Sequence, residues 1–133
     1  MPPFSKRSLS VVFVMVAALA GCVGGGSVQT AAVRSGNLGV LSIEAGKFYF
    51  WPNEIRVDKP GPLSVQIRNV SGSGQNFTLE DPAWNILENI DLPAGKTTSI
   101  NLELHEPGIY QFYCNKALHS FFGMNGQIYV DQK

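Results

Sequence analysis

Tyr110-Gln111-Phe112-Tyr113-Cys114-Asn115-Lys116-Ala117-Leu118-His119-Ser120-Phe121-Phe122-Gly123-Met124-Asn125-Gly126-Gln127-Ile128-Tyr129-Val130 has two strand-like arms around a loop. On the first arm Tyr110, Phe112 and Cys114 share one face, and the second arm begins again near Gln127. Between the arms Cys114, His119 and Met124 recur every five residues. Thiolate, imidazole and thioether are donors of a copper electron-transfer site, in which two histidines and a cysteine lie in a plane with a weak axial methionine. A second histidine must then come from elsewhere in the chain.

Working outward, the same alternation repeats. Leu63, Val65 and Ile67 alternate with Ser64, Gln66 and Arg68; Ile100, Leu102 and Leu104 alternate with Ser99, Asn101 and Glu103. Shorter runs at Leu41-Ser42-Ile43, Phe48-Tyr49-Phe50, Ile55-Arg56-Val57 and Gln75 to Leu79 lie between turn formers such as Pro52-Asn53, Ser71 to Gly74, Pro93-Ala94-Gly95 and Pro107-Gly108. Asp81 to Leu92 has no clear period. This spacing predicts an all-β Greek-key sandwich of about seven to eight strands.

The chain has 133 residues, with fourteen glycines and eight prolines, which bounds it to one domain rich in turns. Its formal charge is zero, and nothing in it suggests a nucleic-acid partner. Without Lys6 and Arg7, eight basic and ten acidic residues remain, a net charge of about −2, too small for strong steering.

Residues 1–21 have the order of an export signal, with basic Lys6 and Arg7, an apolar run from Leu9 to Leu19, and small residues before Cys22. The run is short for a permanent membrane span. Leu19-Ala20-Gly21-Cys22 resembles the lipobox of bacterial lipoproteins, which implies an acylated Cys22 and a lipid anchor on the extracytoplasmic side of the cell envelope. Residues 22–38, with Gly24-Gly25-Gly26-Ser27, then read as a lipidated flexible tether, and 39–133 as the folded domain. Exported chains normally pair their cysteines, so a lipidated Cys22 leaves Cys114 as a lone thiol, either buried and inert or a metal ligand.

The segment 40–130 resembles the cupredoxins, the blue-copper family of plastocyanin, azurin and auracyanin. The likeness rests on Phe48 to Val57, on Asn69 with Gln75-Asn76-Phe77, on Pro107 to Cys114 and on Gly123-Met124-Asn125-Gly126. It implies one copper ion, with Cys114, His119 and Met124 as thiolate, second imidazole and axial ligands, and Asn76 as the residue bracing them. It also implies that Ala117, Leu118, Phe121 and Phe122 form an apolar patch where a redox partner docks; the alternative is that the two phenylalanines cap the core.

Two positions depart from the family pattern. Gln75 stands where the first histidine ligand belongs, and Leu118 stands where many relatives have glycine. The only other histidine, His105, precedes the Glu106-Pro107-Gly108 turn and is expected to be exposed. An amide oxygen is a harder and weaker donor to copper than imidazole, so Cu(II) suffers more from Gln75 than Cu(I) does. Three outcomes stay open: an altered redox copper site with Gln75 as ligand, a Cu(I) carrier exchanging metal with a protein partner, or a metal-free interaction module.

An enzyme is not expected, because Cys114 and His119 lack a third orienting group. A zinc site would have to recruit Glu80 or Asp81. The domain is expected to act as a monomer.

Overall fold

The computed structural model describes residues 30–33 and 40–132. Every regular element in it is a strand: β1 (Thr30–Val33), β2 (Leu41–Ala45), β3 (Phe50–Trp51), β4 (Glu54–Val57), β5 (Gly61–Asn69), β6 (Gln75–Glu80), β7 (Ile86–Leu92), β8 (Thr97–Leu104), β9 (Gly108–Tyr113) and β10 (Asn125–Val130). Among the described residues no helix is long and apolar enough to cross a membrane.

Side-chain alternation sorts these strands into layers. In β5, Leu63, Val65 and Ile67 are buried while Ser64, Gln66 and Arg68 are exposed, so the strand has one inner face. It pairs with β8 antiparallel and with β2 in parallel, giving a four-stranded sheet ordered β3-β2-β5-β8. The second sheet has six strands ordered β1-β4-β10-β9-β6-β7. The chain passes repeatedly between the two, and an apolar core fills the space between their inner faces. The all-β sandwich expected from the sequence is the observed fold.

Two strands were not foreseen. β7 lies in the unpatterned stretch because it is an edge strand whose residue types do not follow its burial: Ile86 and Leu87 are exposed while Glu88 is half-buried. β1 lies inside the segment read as a flexible tether. Thr30–Val33 pairs in parallel with Glu54–Val57, so these four residues belong to the sheet. Residues 1–29, with the export signal and Cys22, and residues 34–39 lie outside the described residues.

The core beneath the loop is aromatic. Phe77 and Phe112 stack at a centroid distance of 5.4 Å, and Phe50 meets their edges at 5.9 and 5.4 Å. Phe112 is two residues before Cys114, on the same inward face, so this cluster is the floor on which the loop rests. A Cβ on Gly126 would collide with the Phe112 ring, which is why β10 runs past the ring with a glycine. The corner before β9 is closed by Tyr110, whose hydroxyl donates to the Glu106 carbonyl at 3.0 Å and accepts from the Glu106 amide at 3.1 Å.

Because Phe112 is fully buried in this cluster, Phe112→Ala should cost about 3–5 kcal/mol of unfolding free energy. Urea denaturation followed by tryptophan fluorescence measures the loss; a cost under about 1 kcal/mol would mean that the floor of the loop does not depend on this ring.

Candidate metal centre

Strand pairing brings the site together. β6 lies antiparallel to β9 with Thr78 opposite Tyr113, which sets Gln75, the first residue of β6, beside Cys114, the residue just past β9. Both side chains point inward and are completely buried. Beyond Cys114 the chain folds back in tight turns, with backbone amides of His119, Phe122 and Gly123 bonded to the carbonyls of Lys116, Leu118 and Ser120. The loop then closes on itself: the Cys114 amide donates to the Met124 carbonyl at 3.1 Å, and the Met124 amide to the His119 carbonyl at 3.0 Å.

Three donor atoms meet at this closure. Cys114 Sγ lies 3.6 Å from Gln75 Oε1 and 3.6 Å from His119 Nδ1, and His119 Nδ1 lies 2.8 Å from Gln75 Oε1. A point equidistant from all three atoms is about 2 Å from each, the bond length of a first-row metal to nitrogen or oxygen and slightly short of that to sulfur. The donor set therefore fits such an ion once the thiol and the imidazole Nδ1 are deprotonated. Without metal the same atoms satisfy one another, since the Nδ1–H and the thiol both donate to the amide oxygen. Met124, the fourth residue expected here, is also fully buried.

Asn76 braces the loop from β6. Its Oδ1 accepts from the Thr78 hydroxyl at 2.7 Å and from the Asn115 amide at 3.3 Å, while its Nδ2 donates to Asn89 Oδ1 at 2.8 Å. Asn115 Nδ2 reaches the same Asn89 oxygen, and Lys116 Nζ donates to Asp91 at 3.0 Å. The hydrogen bond from Lys116 holds the Asp91 carboxyl below its ordinary value. The loop is thus pinned to β6 and β7 at the two residues that follow Cys114.

The other candidates lie elsewhere. His105 is exposed at the end of β8 that pairs with Gly61, a strand's length or roughly 25 Å from the Asn69 end where the loop sits. Glu80 accepts the Tyr113 hydroxyl at 2.8 Å, a bond that raises the tyrosine pKa, and Asp81 caps its own turn through Ala83 and Asn85. Among the described residues no three His, Cys, Asp or Glu side chains gather. Beside Cys114 and His119 the structure instead places the Gln75 amide oxygen.

Residues 12–130 match the family model described as the cupredoxin-like domain. The chain belongs to this family. Among solved structures it is similar to an auracyanin from Roseiflexus castenholzii in a dithionite-reduced state, at 20% identity and a TM-score of 0.61, covering 68% of this chain and 95% of that one. Auracyanin B is similar at 17% identity and a TM-score of 0.61, covering 68% of this chain and 87% of that one. Auracyanin A, a "blue" copper protein of Chloroflexus aurantiacus, is similar at 18% identity and a TM-score of 0.57, covering 70% of this chain and all of that one. A search of curated proteins gives no match. At these identities the structural likeness bears on the fold.

The rim of this cupredoxin's loop is apolar and open to solvent. Leu118, Phe121 and Phe122 are 66%, 81% and 58% exposed, so the phenylalanines do not cap the core. Ala117 is exposed beside them. Phe48, which the sequence reading placed in a strand, joins this rim instead: its ring meets the His119 imidazole edge-on at 4.9 Å and Phe122 at 5.4 Å. It shields one side of the half-buried imidazole.

Leu118 has φ of 65°, in the left-handed region. That conformation is one glycine adopts without strain, and here the loop holds it with a leucine. Strain of about 1–2 kcal/mol is the cost, partly offset by the lower chain entropy of the unfolded leucine. Leu118→Gly should therefore raise unfolding free energy by about 0.5–1 kcal/mol, as measured by urea denaturation. A loss of stability would mean that packing of the leucine side chain, and not backbone strain, dominates at this position.

Proposed function

We propose that this cupredoxin is a membrane-tethered electron carrier that binds one copper ion through Cys114, His119 and Met124, with the Gln75 oxygen taking the place of a second imidazole. One observation carries this reading: Gln75 Oε1 completes a closed triangle with the thiol and imidazole, at spacings a metal can span. The auracyanin likeness supports it, since one of those relatives is described as a "blue" copper protein.

When bound, the ion would supply a one-electron Cu(II)/Cu(I) couple. The chain's own residues provide the rest. Cys114 is buried, which protects its sulfur from solvent oxidants. The turns closing Cys114 to Met124, together with Asn76, hold the donors in one arrangement, as both redox states require. His119 reaches the surface through the rim of Phe48, Leu118, Phe121 and Phe122, an apolar ring suited to excluding water when a redox partner docks.

The Gln75 substitution tilts this site toward Cu(I), because a hard oxygen donor adds little to a soft ion that already has two sulfurs and an imidazole. That same feature favours copper delivery to a protein partner as a second reading. Anaerobic titration of the purified protein should show one Cu(I) taken up per chain, and reversible oxidation distinguishes carrier from delivery. Gln75→His should strengthen Cu(II) binding by about tenfold or more and intensify the thiolate-to-copper colour. Absence of copper uptake in both oxidation states would sink the metal-binding reading.

The tether is part of the same proposal. Lipid on Cys22 would hold the protein at the extracytoplasmic face of a membrane. Cys22→Ser should move the protein from the membrane fraction to the soluble fraction and abolish labelling by a fatty-acid probe. Unchanged membrane retention would point to a different anchor.

A further inference from the structure

An amide side chain has two ends, and only its oxygen can ligate a metal or accept a hydrogen bond. Gln75 is completely buried, so something must decide which end faces Cys114 and His119. The structure contains a chain of hydrogen bonds that does so, and it starts at Asn69, also completely buried.

Asn69 Nδ2 donates to two backbone carbonyls, Leu92 at 2.8 Å and Ser73 at 2.9 Å. Backbone carbonyls only accept, so this amide has a single orientation, with Oδ1 turned toward Ser71. That oxygen accepts from the Ser71 amide at 2.9 Å and stands 2.7 Å from the Ser71 hydroxyl. Among the described residues the hydroxyl also has the Ser73 carbonyl as an acceptor at 2.8 Å, and its oxygen accepts from the Ser73 amide at 3.4 Å. With the hydroxyl proton on either acceptor a Ser71 lone pair faces Gln75, whereas a reversed amide would have to draw the proton away from both acceptors. Gln75 Nε2 donates to the Ser71 oxygen at 2.9 Å, with the Ser73 hydroxyl farther away at 3.4 Å. The amide nitrogen is thereby held on the Ser71 side, and Oε1 is left 2.8 Å from His119 Nδ1 and 3.6 Å from Cys114 Sγ.

We propose that Ser71, itself oriented by Asn69, is a positioning residue that locks the Gln75 carboxamide with its oxygen toward Cys114 and His119, making position 75 an oxygen donor to the bound metal. The metal-binding half of this statement rests on the copper reading above; the orientation half stands without it. In the reversed orientation the amide NH2 would face the imidazole nitrogen and the sulfur, offering hydrogens where a metal needs lone pairs. Asn69 and Ser71 thus act on the site without touching the ion.

The test has two arms. In the metal-free protein, nitrogen NMR of the His119 ring should show the proton on Nδ1, where it bonds to Gln75 Oε1. Ser71→Ala should release the amide and move this proton to Nε2, while Ser71→Thr, which keeps the hydroxyl, should retain the parent tautomer. An unchanged tautomer in Ser71→Ala would overturn the orientation role. In the second arm, Cu(II) titration should show Ser71→Ala binding about 10–100-fold more weakly than the parent, with Ser71→Thr close to it. On a Gln75→Ala background, Ser71→Ala should cause no further loss. Equal losses on both backgrounds would mean that Ser71 acts on the loop in general, and would also overturn the proposal. If the parent protein takes up no copper in either oxidation state, the copper reading and the donor half of the statement fail together. The tautomer arm still decides whether Ser71 sets the amide.

Discussion

Antiparallel pairing of β6 with β9 is the constraint on which the site depends. It brings together Gln75 and Cys114, 39 positions apart in the chain, and it aims both side chains into a space that water does not reach. The loop that follows Cys114 is then closed by its own backbone and tied to β6 and β7 by Asn76, Asn115 and Lys116. Sheet register sets the position of two donors, and short-range turns set the others. The aromatic floor supports the arrangement because Phe77 and Phe112 are on the inward face that carries the donors and Phe50 packs onto them from the opposite sheet.

A buried glutamine beside a thiol and an imidazole is stable only if both ends of its amide find partners. Here the nitrogen meets Ser71 and the oxygen meets His119 and Cys114, and no buried polar side-chain atom among the described residues lacks a partner. The metal-free site is therefore a satisfied hydrogen-bonded triangle. A metal bound there would have to displace the protons of Cys114 and His119. Gln75 thus serves the fold without a metal.

Much of this was legible in the sequence because each feature had a local cause. Alternation in Leu63 to Arg68 and in Ile100 to Leu104 marked β5 and β8, since each has one dry and one wet face. The even spacing of Cys114, His119 and Met124 marked the loop. β7 stayed hidden because its apolar Ile86 and Leu87 are exposed and its half-buried Glu88 is charged, so residue type does not report which face is inward. Phe48 stayed hidden as a rim residue for another reason. Its φ of 73° takes it out of any strand and turns its ring onto His119 from a segment some seventy residues earlier. Nothing in Ser71 distinguished it from an ordinary turn residue, since its partners Asn69 and Gln75 become its neighbours only once the turn has formed.

By itself, then, the sequence determined the all-β sandwich, the soft-donor loop and the anomaly at Gln75, because burial periodicity and donor chemistry are written residue by residue. Only the tertiary structure decided which way the Gln75 amide points, which rings surround His119 and which face of the loop is open. Those depend on partners distant in sequence, and a hydrogen bond or a ring contact acquires its direction only when both of its ends have been placed.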